Sequence, residues 1–409
     1  MSTIEVYKKN TWLKEDSMDI MIKVMTFMLS PFLSFIYSLR RINTKSSYVV
    51  FFLFAFFYGL CFTVIADNLD VWETNDAAKW RFRFENTNLE TFDDYIRYCT
   101  EYFLFIGTDI RDLYIGTLFF FVHKFSDNYH IFFCVIALVF SYFQLKSLRF
   151  LVNSPSFDNG IVCLVICALF LNNTISNISA IRFPTAAWMC VYGILQFFYN
   201  KKSKYLALLL MLPLIHRGFL FFYPILLLVL FFRDKGIWRS LYFVSFLFSG
   251  LSIYIIRDAT NYLPGFLSNM IEAYTEETTF ERNSLTKLFF SNLAVIYVNI
   301  LFILIMKAAK TYLPEKMKSI YHFTFVFISI VNFVMPIPSL GGRFLIIAET
   351  LIAFLWFNIM GTRSKYNFLI YLLPLFMARR VYMITSSFMK FQDLDFFYMN
   401  PFFLIDSHI

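Results

Sequence analysis

The chain has 409 residues, 59% of them hydrophobic, 21% aromatic and only 16% charged, with a mean hydropathy of +0.61. No soluble fold buries so large an apolar share, so the composition excludes a globular cytosolic enzyme and indicates an all-α polytopic integral membrane protein. The net charge of +8 falls in short clusters between apolar runs, which reads as membrane topology and leaves no nucleic-acid partner expected.

Taken from the N-terminus, residues 18–39 form a first apolar run behind a charged leader; long and without a small-residue exit, it is expected to remain as a span. Basic clusters then recur at Arg40, Arg41 and Lys45, at Lys146 with Arg149, at 201–204, at 233–239, at 307–318, and at Arg363 with Lys365. All six can share the cytoplasmic face. From Lys45, residues 48–66 lead outward to a polar segment, 67–111, rich in Trp, Asp, Glu and Asn. Residues 128–145 return, and 113–125 are expected as a short helix at the outer face. Residues 160–178 and 181–199 go out and back around "NNTISNIS", which places Arg182 at the outer end of its helix.

The run 205–232 begins and ends beside basic clusters, and at about 28 residues it is too long for one span and short for two. Two shortened helices meeting near "LIHRG" are therefore expected, with His216 and Arg217 at the break, facing a cavity near the outer face. Residues 238–256 lead to a second external segment, 257–287, and 288–306 return. Residues 321–338 go out, "PIPSLGG" turns, and Arg343 opens a descending helix over 344–360. A last crossing, 368–384, carries Arg379 and Arg380 near its outer end. The expectation is a single transmembrane domain over 1–409 with about 11–12 transmembrane or half-membrane helices and external loops at about 67–111 and 257–287.

The positive-inside pattern leaves few basic residues for the outer face, yet Arg182, Arg217, Arg343 and Arg379 all land there. Each intramembrane arginine costs roughly 2.5–3.5 kcal/mol, so a bound anion such as a phosphate or diphosphate is a natural counter-charge. Against that reading, an arginine at a helix end commonly snorkels to headgroups, and a histidine in an apolar run can be a satisfied structural group. The carboxylates Asp67, Asp70, Glu73 and Asp76 read first as a solvated face. The six cysteines lack zinc-site spacing, and there is no acidic metal cage, phosphate-binding loop or dinucleotide fingerprint, so no metal or cofactor is expected.

Four stretches carry a resemblance: "DNLDVW" after the second apolar run, "SAIRFPTAAWMCVYGILQFFYNKKSKYLALLLMLPLIHRGFLFFYP" in the middle, "GGRFLI" at a late helix, and "NPFF" near the C-terminus. In their order and spacing the chain resembles the Wzy-type polysaccharide polymerases, in particular the EpsG-like branch. Arg182 with Gly193 fits the R-x10-G spacing of such polymerases, whereas Asp70 is followed by Val71, Trp72 and Glu73 in place of an aromatic and then a basic residue.

The resemblance implies a GT-C-like polymerase in the bacterial plasma membrane with its active site facing outward. Its substrates would be undecaprenyl-diphosphate-linked oligosaccharides drawn from the membrane lipid, with a chain-length regulator protein as a further partner. Arg182, Arg343 and, by a looser match, Arg217 would bind diphosphate, Arg379 being added on its place at an outer helix end alone, and a hydroxyl of the acceptor would lose its proton to His216 or, second, to Asp70. Direct displacement would invert the anomeric centre. Two other classes stay open: a flippase or transporter for the same lipid-linked sugars, and a membrane acyltransferase that modifies surface polysaccharide.

Overall fold

The computed structural model describes residues 15–64, 76–87, 89, 91–104, 112–152, 173–231, 235–248, 262, 285–335, 338–359, 386, 389 and 391–408. Among these residues the regular elements are helices, with no strand. In chain order the α-helices are α1 (Ser17–Leu29), α2 (Pro31–Ser38), α3 (Lys45–Leu60), α4 (Asp76–Glu85), α5 (Phe92–Leu104), α6 (Leu113–His123), α7 (Tyr129–Val152), α8 (Arg182–Ile194), α9 (Tyr205–Leu210), α10 (Leu212–Ile215), α11 (Phe222–Phe231), α12 (Lys235–Phe248), α13 (Leu285–Tyr312), α14 (Lys318–Val334), α15 (Pro338–Ile359) and α16 (Pro401–His408).

Four segments are long and apolar enough to cross a bilayer: Tyr129–Val152, Val295–Tyr312, Glu315–Val334 and Gly341–Ile359. Shorter apolar helices accompany them at Lys45–Leu60, Leu113–His123, Tyr205–Ile215 and Arg217–Phe231. The protein is thus an all-α polytopic membrane protein, as its composition indicates. The expected crossings at 160–178 and 368–384 lie wholly or mostly outside the described residues, as does most of the 257–287 segment.

The chain forms two compact units, one of Met1–Asn88, Phe119–Ile181 and Met377–Ile409, the other of Leu89–Leu118 and Arg182–Phe376. In the first, the run 18–39 is not the single span its length suggests. Ser30 is extended (φ −161°, ψ 124°) and its hydroxyl caps α2 at Leu33 N, while Pro31 occupies the first turn of that helix. A proline has no N–H to continue α1, so the chain turns back at this point. The Ser34 hydroxyl donates to the Lys23 carbonyl (2.8 Å) and the Tyr37 hydroxyl to Asp19 (3.1 Å), pairs that only an antiparallel return can make. Helices α1 and α2 are a hairpin whose two ends lie together.

Lys23, 1% exposed, sits inside this hairpin and is saturated there. The three N–H groups of its ammonium are shared among four oxygens, those of Glu15 (2.9 Å), Asp19 (2.7 Å), Thr44 (3.1 Å) and Ser46 (2.8 Å). A buried cation survives only when paired and hydrogen-bonded in this way. The face of α1 carrying Met18, Met21, Met25 and Met28 is exposed, which suits contact with lipid. Helix α3 packs along α7, with Phe62 just beyond α3 meeting Phe133 at a ring separation of 4.6 Å.

In the second unit α14 packs against both α12 and α15, and α13 and α8 also pack on α15. Within this apolar interior, fully buried Asn299 of α13 and Asn332 of α14 exchange two amide hydrogen bonds, of 3.0 and 2.9 Å. Paired amides of this kind hold neighbouring helices in register where lipid supplies no hydrophobic driving force. Helix α8 lies against the short helices α9 and α10. A methyl group at Gly193 would stand 2.6 Å from the Leu209 Cδ2, so the Leu209 side chain of α9 packs directly over the bare backbone there.

Candidate functional site

The apolar run 205–232 breaks where its length requires. Helix α10 ends at Ile215, His216 is extended (φ −151°, ψ 115°), and a 3-10 turn over Arg217–Phe221 leads into α11. Neither half is long enough to cross a bilayer at 1.5 Å per residue. The Tyr223 hydroxyl bonds back across the break to the Leu210 carbonyl. The His216 ring closes the turn, with Nδ1 accepting the Gly218 N–H at 3.0 Å. A Cβ on residue 218 would come within 2.8 Å of that ring, so a side chain there would push the His216 ring from its place. Because Nδ1 accepts, the neutral ring carries its proton on Nε2 and offers a donor.

Phe183 gathers the surrounding elements. It packs edge-on to His216 (5.5 Å), stacks on Phe219 (5.4 Å), meets Phe344 of α15 (5.8 Å) and carries the Arg343 guanidinium over its face at 5.7 Å. This aromatic cluster brings together the start of α8, the broken segment and α15, so three stretches distant in sequence deliver their cations to one place. Arg182 and Arg343 both lie within electrostatic range of His216. Arg182 is the first residue of α8 and follows Ile181, which is held at φ +46°. A β-branched residue rarely adopts that region, and strain of order 1–3 kcal/mol persists only where the surroundings enforce it.

Arg343 does not open its helix as expected. The "PSLGG" stretch is itself helical, α15 starting at Pro338, which places Arg343 in the second turn. Proline at a helix start lacks only an N–H that would be unbonded there, so it begins α15 where a turn was expected. Arg217 projects over the Tyr102 ring of α5 at 5.5 Å, and the Tyr102 hydroxyl donates to the Pro213 carbonyl at 3.2 Å.

One further group was not legible from motif or composition. Asp112, with a side chain 3% exposed, accepts from Arg182 at 2.8 Å through Oδ2 and from the Ile115 N–H at 3.0 Å through Oδ1, capping α6. The Tyr98 hydroxyl donates to its carbonyl at 2.5 Å. Arg217 also lies within electrostatic range of this carboxylate. Its one sequence signal is local: an aspartate immediately before the apolar run that begins at Leu113, the position of a helix cap. Asp70 and Arg379 fall outside the described residues.

The site thus assembles Arg182, Arg217, Arg343, His216 and Asp112. Three guanidinium groups are thus brought into this part of the structure, Arg182 on the Asp112 carboxylate, Arg217 over the Tyr102 ring and Arg343 over the Phe183 ring. Among the described residues no group of three or more His, Cys, Asp or Glu side chains is placed to hold a metal ion.

No curated protein matches the chain, and no solved structure does. The profile of the EpsG family matches residues 83–396, which takes in the whole of this site and more than half of the sequence. The chain belongs to the EpsG family.

Proposed function

We propose that the protein is an oligosaccharide repeat-unit polymerase, an inverting glycosyltransferase that joins undecaprenyl-diphosphate-linked oligosaccharides on the outer face of the bacterial plasma membrane. Family membership supports a polysaccharide polymerase. The observation that carries the finer reading is that Arg182 and Arg343 both lie within electrostatic range of His216, with Arg217 next to it in the chain. A lipid-linked sugar diphosphate carries one charge on each phosphate, about two in all, and guanidinium forks match phosphate oxygens in geometry as well as charge.

As the anomeric bond breaks, a further negative charge develops on the leaving diphosphate. Arg343, held over the Phe183 ring, and Arg182, held by Asp112, meet that charge without reorganising, so they stabilise the transition state more than the bound donor. In this mechanism the guanidinium groups supply the electrostatic stabilisation, and no metal is assigned a step. His216 stands beside them at the break, where the acceptor hydroxyl must approach.

The test is a polysaccharide ladder from cells in which the gene is replaced by variants, with immunoblotting for membrane abundance. Arg343→Lys should shorten or abolish the ladder at normal abundance, because a point charge cannot reproduce bidentate contact. A wild-type ladder from Arg343→Ala would exclude this diphosphate site.

A further inference from the structure

We propose that Asp112 is the general base of the reaction, taking the acceptor hydroxyl's proton, while His216 donates a hydrogen bond through Nε2. The inference rests on the polymerase reading above and assigns a catalytic residue within that same site.

The hydrogen bonding separates the two residues' roles. The Gly218 N–H occupies His216 Nδ1, so the ring meets its surroundings as an N–H donor. To accept a proton at Nε2 it would first have to carry its own proton on Nδ1, where the Gly218 N–H already points. Asp112 is an acceptor throughout. A carboxylate offers about four lone-pair directions, and the bonds from Arg182 and from Ile115 N take one on each oxygen. Burial pushes its carboxyl up from the ordinary carboxylate range, with the Arg182 guanidinium pulling the other way, and a higher affinity for protons is what a base requires.

The Arg182 pair then couples the two halves of the displacement. The acceptor O–H bond breaks and its proton passes to a carboxylate oxygen of Asp112. The oxygen's electron pair forms the bond to the anomeric carbon. The bond from that carbon to the diphosphate oxygen breaks, and its pair leaves with the lipid diphosphate. Asp112 loses one negative charge as the leaving group gains one, so Arg182 passes from neutralising the carboxylate to neutralising the diphosphate, and the net charge of the site is unchanged. An arginine held 2.8 Å from the base is thereby available to the leaving group at the moment it is needed.

Azide separates this role from a structural one, because it attacks an anomeric carbon without losing a proton. Purified protein in proteoliposomes is given an undecaprenyl-diphosphate-linked repeat unit, with and without sodium azide. For Asp112→Asn, which keeps the size and a carbonyl acceptor, polymer formation should fall about 100-fold or more, while glycosyl azide forms at a rate close to wild type. Asp112→Glu should recover part of the polymerisation. Polymerisation by Asp112→Asn within about threefold of wild type would overturn the assignment, and so would a loss of glycosyl azide in step with polymer, since that marks a structural role. If wild-type protein makes neither product, the polymerase reading fails and this assignment falls with it.

Discussion

Arg182→Ala removes one partner of a buried ion pair and leaves the other in place. The Asp112 side chain is 3% exposed and that of Arg182 20%, with 2.8 Å between nitrogen and oxygen. Breaking a buried pair from one side costs about 3–5 kcal/mol, and the partial exposure of Arg182 puts the expected loss near the lower end. Removing Asp112 as well eliminates the stranded charge. The double variant Arg182→Ala/Asp112→Ala should therefore be more stable than Arg182→Ala alone, with a coupling energy of about 2 kcal/mol. Thermal unfolding of the four proteins in one detergent measures this, the double variant melting a few degrees above the single. Polymerisation should not return with the stability, because both groups act on substrate. Single-variant effects that add within about 0.5 kcal/mol would show that the two side chains do not interact, and the charge relay drawn from them would fall.

Asn299→Leu or Asn332→Leu alone should destabilise by about 1–3 kcal/mol by orphaning a buried amide, and the double replacement should recover most of that, as unfolding in graded denaturing detergent will show. Lys23→Met should lower thermal stability by about 3–5 kcal/mol by stranding Glu15 and Asp19. Burial raises the Glu15 carboxyl, but bonds from Ser46 and Lys23 outweigh it and hold the group at about 2, below its ordinary 4.5. Its contribution to stability is full above about pH 4.5 and fades as the pH falls through about 2, so unfolding of wild type across that window should slope more steeply than that of Glu15→Gln. Single cysteines at Lys202 and Lys310 should label only from the cytoplasmic side, and one at Asp94 only from outside; outside labelling at residue 202 would invert the topology and the site's orientation.

The break at His216 was legible because length alone forbids any other solution: the run 205–232 exceeds one span and falls short of two. The α1–α2 hairpin was hidden by the same criterion, since a mostly apolar run of 22 residues satisfies one crossing. Two features of that run spoke against it. Ser30–Pro31 is a helix end followed by a helix start, and Lys23 is a charge no lipid-facing span would hold without partners. The arginines of the site carry a local mark that composition does not reveal: Arg182 and Arg343 are each followed by a phenylalanine, and Arg217 has one two residues on. Those rings, Phe183, Phe344 and Phe219, are the ones that pack together. Asp112 was not legible, because its meaning comes from Arg182, 70 residues away, and a single aspartate before a helix is in most places only a cap.

The central claim, chemistry on a lipid diphosphate at the arginine cluster, is tested most directly with the purified protein in sealed proteoliposomes supplied with undecaprenyl-diphosphate-linked repeat units in the outward-facing leaflet. The account predicts a ladder of lipid-linked oligomers with one undecaprenyl diphosphate released for each linkage formed, lost in Arg182→Ala and Arg343→Ala protein. Movement of the lipid-linked sugar between leaflets with no new glycosidic bond would contradict it and identify a transporter.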